Sequence, residues 1–186
     1  RLILILCSLI YEGLTRLDDT IMPKPLLAET IDISLPSMIS ATIRKNAKFS
    51  DGSGVTSDDV IHSFELAKKS DNYKILLSNI ETCKAEENII LFELDSPDPN
   101  AAACLTFPII KKGSEENPIG SGRYSFKDGD SPKLVANTHN SSKNNIKTIR
   151  LLDVTDGDAI LYALESGSII FCFTDLADGN IPRTSS

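Results

Sequence analysis

Four kinds of residue in this chain could do chemistry, and their spacing decides what kind. The histidines are only His62 and His139, far apart in sequence, and so sparse a pair supplies neither a zinc site nor a Ser-His-Asp triad. Cys7, Cys83, Cys104 and Cys172 are equally scattered. With no C-x-x-C and no His at ligand spacing they read as buried free thiols, one bridge among them staying open. Asp153, Asp156 and Asp158 crowd together and suggest calcium, but they are not in EF-hand order and lack a Glu at the twelfth position. Asp156 serves instead as a helix-start residue. Gly120, Ser121 and Gly122 invite a phosphate loop, yet lack the strand before and the helix straight after that such a loop needs. No G-x-S-x-G and no nucleophile-base pair can be named, which argues against a hydrolase. The residues thus assign no catalytic, metal or cofactor role.

The elements that would position a site are more legible. The chain has 186 residues, 41% hydrophobic and 24% charged, with a net charge of -7. That length can bury a real core, the composition is that of a globular protein, and the acidic balance argues against nucleic acid as partner. The most informative stretch is 44–64, RKNAKFSDGSGVTSDDVIHSF. Arg44, Lys45 and Lys48 mark a basic strand end, and residues 50–54 a tight turn. Thr56 is an N-cap with Asp59 three residues on, as in a capping box, and Asp58 and Asp59 face the positive end of the helix dipole. The helix buries Val60, Ile61, Phe64 and Ala67 and ends on Lys68 and Lys69. These are architectural devices, so the stretch reads as scaffold. Asp59→Ala is expected to cost about 1 kcal/mol at most and to leave ligand affinity alone.

Elsewhere the chain punctuates itself. The apolar start, LILILCSLI, has the length of a secretory apolar core, but Leu6 stands before Cys7 where lipoprotein cleavage needs a small residue. It reads as a buried helix or strand, far short of a membrane span. Residues 31–45 alternate as strand, broken at Pro36. Residues 70–79 read as a short helix or loop, 80–85 and 89–94 as two strands around a turn at Glu86, Glu87 and Asn88, and 101–105 as a small-residue helix. Tyr124 and Phe126 begin an alternating strand, and 129–145 is a polar hairpin and surface loop. Strand 146–154, helix 156–166 stopped by Gly167, and apolar strand 168–173 then spell a βαβ unit with parallel pairing. No G-x-G-x-x-G follows its strand, as a Rossmann fold would require.

Three ordered segments carry a resemblance. The stretch 44–64 resembles the signature of the family 5 extracellular solute-binding proteins, L-R-K-x-V-K-F-S-D-G-x-P-V-T-A-x-D-V-x-x-S-F, with Ala47, Gly54 and Ser57 as mild departures. YEGLTR at 11–16 resembles a second element, and NPIGSGRYSF at 117–126 resembles N-P-V-G-T-G-P-Y-x-F, with Arg123 where Pro is usual. Pro23, Pro25, Leu26, Leu27, Ala28 and Glu29 follow the P-x-L-A-E element, while the aromatic hairpin that usually comes next is contracted here.

The resemblance implies an α/β (mixed α+β) fold. It would be a lobe of the type II periplasmic-binding-protein kind, with a mixed β-sheet, a βαβ unit and an inserted small α+β subdomain. Residues 1–16 and 113–186 would form the main lobe and 17–112 the insertion, with a second lobe absent from this chain. It implies an extracytoplasmic receptor, in the periplasm or as a surface lipoprotein, that captures an oligopeptide or dipeptide and delivers it to an ABC permease. Its membrane association would run only through a lipid anchor or that permease. By placement, Tyr11, Thr106, Phe107 and Ile109 would face the ligand, and one lobe alone would bind peptide weakly or not at all. A lobe that docks on a membrane or surface partner without binding ligand, and a receptor for a nickel chelate or another small solute, stay open as alternatives.

Overall fold

The computed structural model describes residues 2–127, 132–152 and 157–172, with only the backbone of 2–5 and 157. The apolar start forms helix α1, Leu2–Ile10. Strand β1 (Thr15–Leu17) pairs antiparallel with β2 (Pro23–Pro25). Strands β3 (Ala28–Asp32), β4 (Met38–Ile43), β5 (Ile80–Glu86) and β6 (Ile89–Leu94) form a second sheet in the order β3-β4-β6-β5, antiparallel throughout. Helix α2 (Ser57–Lys69) lies between β4 and β5 in sequence. A 3-10 helix, Ala101–Thr106, leads to the meander β7 (Tyr124–Lys127), β8 (Lys133–Ala136) and β9 (Thr148–Arg150), followed by helix α3 (Gly157–Glu165).

The core follows from the two periodicities. In β4 the alternate residues Ile39, Ala41 and Ile43 are buried, and in β6 Ile90, Phe92 and Leu94; the register pairs Ile39 with Phe92 and Ala41 with Ile90, so one face of the sheet is apolar. Helix α2 lays Val60, Phe64 and Ala67 on the same core. Phe64 meets Phe92 edge-on at 5.8 Å and Phe107 at 6.0 Å, geometries that the ring quadrupoles favour. Lys68 spans Phe64 and ends on the Ile80 carbonyl at 2.7 Å, its stem covering apolar surface and its charge reaching a partner.

Several expectations change. Ile61 is only half-buried, and Asp59 and Ser63 take the buried positions beside Val60 and Phe64. The segment 129–145 is not merely a surface loop: Asn137 and Asn144 are 4% and 8% exposed. Asn137 donates to the Gly122 carbonyl at 2.8 Å, and Asn144 donates to the Arg123 carbonyl at 2.8 Å and accepts from Arg123 Nε at 3.1 Å. An amide side chain supplies donor and acceptor together, and so can hold two groups of the same neighbour at once. The βαβ reading is not met, since every ladder among the described residues is antiparallel and residues 168–172 form no strand. A strand in a parallel pair needs cover on both faces, whereas Ile170 and Phe171 are 97% and 79% exposed. Asp153, Asp156 and residue 173 lie outside the described residues.

Candidate functional site

The stretch 44–64 is a clamp. Asp51 Oδ1 accepts from the Ser53 amide and hydroxyl, and its Oδ2 meets Lys111 Nζ at 2.6 Å. Those bonds, the Lys111 ammonium first and Ser53 next, hold its carboxyl down at about 2. Thr56 and Asp59 form the full capping box. Asp59, 6% exposed, also accepts the Lys112 amide on Oδ1 at 2.8 Å. Ser63 donates to the Asp59 carbonyl at 2.6 Å and accepts from the Ile110 amide at 2.9 Å. One turn and one helix start therefore fix the path of residues 110–112.

That path matters because residues just before it wall a groove of about 950 Å³ beside the end of α1. Cys7, Ser8, Tyr11, Arg16, Arg44 and Thr106 are among its lining residues. The Ile109 amide donates to the Glu12 carbonyl at 3.0 Å, tying 106–110 to the chain leaving α1. Two close approaches build this floor. A Cβ on Gly13 would meet the Leu105 carbonyl oxygen at 2.8 Å, and one on Gly122 would run into the Ile10 carbonyl that the Gly122 amide bonds; both positions need a residue without a side chain. Burial lifts the Tyr11 phenol above its usual range, with Cys7 adding to the effect. The rim carries both signs: Arg16, Arg44 and Arg123 against Glu12 and Glu29, with Arg44 at 4.0 Å from Glu12.

Tyr11 and Thr106 line the groove, as the sequence suggests. Phe107 and Ile109 do not: both are fully buried in the core, and Pro108 lines the groove instead. The 3-10 helix ends at Thr106 and the backbone turns extended at Phe107, and from there successive side chains go to opposite sides, Phe107 and Ile109 into the core and Pro108 away from it. Sequence placement found the segment but not its facing. It also left Arg44 in the scaffold and gave Arg16 and Arg123 no role. The signal for Arg123 was its place in a Gly-rich turn where the resemblance has Pro.

With this geometry the kinship is decisive. The model for bacterial extracellular solute-binding proteins, family 5 Middle, matches residues 22–183. The chain belongs to this family. Oligopeptide-binding protein AppA of Bacillus subtilis (strain 168) is 28% identical over 203 residues, covering 95% of this chain and 36% of that protein. The structure of AppA from Bacillus subtilis in complex with a nonapeptide superposes with a TM-score of 0.73 at 27% identity, over 87% of this chain and 37% of that one. NikZ from Campylobacter jejuni in complex with Ni(L-His) gives a TM-score of 0.74 at 25% identity over the same shares. The mixed α/β architecture is that of these family 5 binders, and the chain spans little more than a third of their length, 36% of AppA as a sequence. Among the described residues no helix is long and apolar enough to cross a membrane.

Proposed function

We propose that this family 5 lobe is one wall of the ligand cleft of an extracytoplasmic receptor. That receptor captures an oligopeptide or dipeptide, in the periplasm or as a surface lipoprotein, and delivers it to an ABC permease. The observation that carries the reading is the groove of about 950 Å³, with Tyr11 and Thr106 on its wall, in a chain akin to an oligopeptide-binding protein. Its volume is in the range of small-ligand sites, and an aromatic ring with a few polar groups is the usual lining. A peptide held largely through its backbone leaves side chains free to vary. Two lobes closing at a hinge would enclose it. A break near residue 113 is supported by the sheets, since β3 to β6 with α2 pack together while β7 to β9 form a sheet of their own; a boundary between 16 and 17 falls inside β1, which pairs with β2.

Calorimetry of the complete receptor against a mixed peptide pool tests this. Tyr11→Ala and Thr106→Val should each weaken binding about tenfold, a loss on the order of 1.4 kcal/mol, with unchanged melting. Wild-type affinity in both variants sinks the assignment. The likeness to NikZ supports a second reading, a receptor for a nickel chelate. Nickel with L-histidine is the second titrant, and saturation by it alone would favour that reading. If the complete receptor binds neither titrant yet this lobe retains the permease in a pull-down, the lobe is a docking module.

A further inference from the structure

A second cavity, of about 410 Å³, lies across the Glu12 and Arg44 pair from the groove, both residues lining both spaces. Its remaining walls include Asn46 and Lys48 from the clamp, Ser121 from the Gly-rich turn, and His139 and Asn140 from the loop after β8. Asn140, Glu12 and the His139 amide are paired. Asn140 Nδ2 donates to Glu12 Oε1 and to the Ser121 carbonyl, each at 2.9 Å, and the His139 amide donates to Asn137 Oδ1 at 2.9 Å.

Two buried groups have no partner. Ser121 is 1% exposed and its Oγ has no partner among the described residues; nor has the buried Nε of Arg44. Buried polar groups are nearly always hydrogen-bonded, so each exception asks for a cause. Arg Nε–H can only donate, and a serine hydroxyl can donate. Lys48 brings a second cation to the same wall. Glu12, the one carboxylate of this lining among the described residues, is already engaged by Asn140 and by Arg44 at 4.0 Å. Unsatisfied donors under a surplus of positive charge select a ligand made of acceptors with negative charge.

We propose that this cavity binds a small oxyanion, a carboxylate or phosphate group, on Arg44, Ser121 and Lys48. The site adjoins the peptide groove, sharing Glu12 and Arg44 with it, but takes a different ligand and does not depend on that reading. Arg44 contributes its unpaired Nε–H, Ser121 its hydroxyl proton, and Lys48 an exposed ammonium. Its occupant would brace the Gly-rich turn against the clamp, because Ser121 belongs to the first and Arg44 and Lys48 to the second.

The test titrates the 186-residue chain with sodium acetate and, separately, inorganic phosphate, following amide and imidazole NMR shifts, with chloride at matched ionic strength as control. Saturating shifts at Ser121 and His139 are expected with one or both oxyanions and not with chloride. Tighter saturation by acetate assigns a carboxylate, and tighter saturation by phosphate a phosphoryl group. Lys48→Met, a surface change, should weaken the response at least fivefold. Ser121→Ala should abolish it while melting without anion stays equal or rises, since removing an unpaired buried hydroxyl relieves a desolvated group. Shifts that chloride reproduces, shifts that never saturate, or wild-type responses from both variants would each overturn the proposal.

Discussion

The clamp and the groove wall adjoin each other and are built on opposite rules. In the clamp, Asp51, Thr56, Asp59 and Ser63 spend their hydrogen bonds inside the protein. Along the groove, Arg16, Leu17, Pro25, Glu29 and Arg123 are exposed, and only Arg123 of these is held by side-chain bonds, to Asn144 and the Lys143 carbonyl. Distinctive sequence sits in the clamp because internal partners fix residue identity: a Ser that must both donate to Asp59 and accept from Ile110 has few substitutes. A wall that contacts a ligand constrains shape more than identity. The two regions meet at Arg44, which starts the clamp and faces the groove.

The comparison breaks or sharpens by substitution. The largest effect belongs to Phe64, which joins α2 to β6 and to Phe107: Phe64→Ala should cost about 3–5 kcal/mol in denaturant melts. A loss below about 1 kcal/mol would mean that the helix is not seated as described. Next is Asp59→Ala, at about 2 kcal/mol rather than the 1 that a cap alone allows, because the Lys112 amide also loses its acceptor. A cost no larger than a simple cap would reduce the clamp to helix capping.

Asp51 gives a smaller and pH-dependent effect. Its carboxyl is held at about 2, below its ordinary 3.8, so its contribution is complete above 3.8 and is lost as pH falls through about 2. It is partly exposed, and the stabilisation is below about 1 kcal/mol after screening. Melting curves of wild type should therefore steepen in their decline over that interval, and Asp51→Asn should flatten the decline; parallel curves would remove Lys111 from the clamp. Smallest is Arg16→Ala on the groove rim, which should move stability by less than about 0.5 kcal/mol. The same change should alter ligand affinity of the complete receptor in calorimetry. If it shifts melting as much as Asp59→Ala does, the two regions are not built differently.

Much of the fold was legible because local physics wrote it. Thr56 with Asp59 forms the full capping box that their three-residue spacing suggests, and the apolar run at 89–94, read as a strand, is β6. Gly167, read as a helix stop, has a φ of +71°. Less was legible where a partner lies far along the chain. Asn137 and Asn144 look like loop residues until the backbone of 122–123 is laid beside them, and residues 168–172 look like a parallel strand until their neighbours are examined.

The sequence by itself determined the elements whose information is local: caps, turns, alternation, and through their order the family. Only the tertiary structure decided that Thr106 and Pro108 face the groove while Phe107 and Ile109 enter the core. It alone decided that Asp59 and Ser63 grip 110–112 and that Arg44 stands between two cavities. The physical reason is that a strand's period of two sets which residues share a face but not which face meets the core, and that choice is made by distant packing.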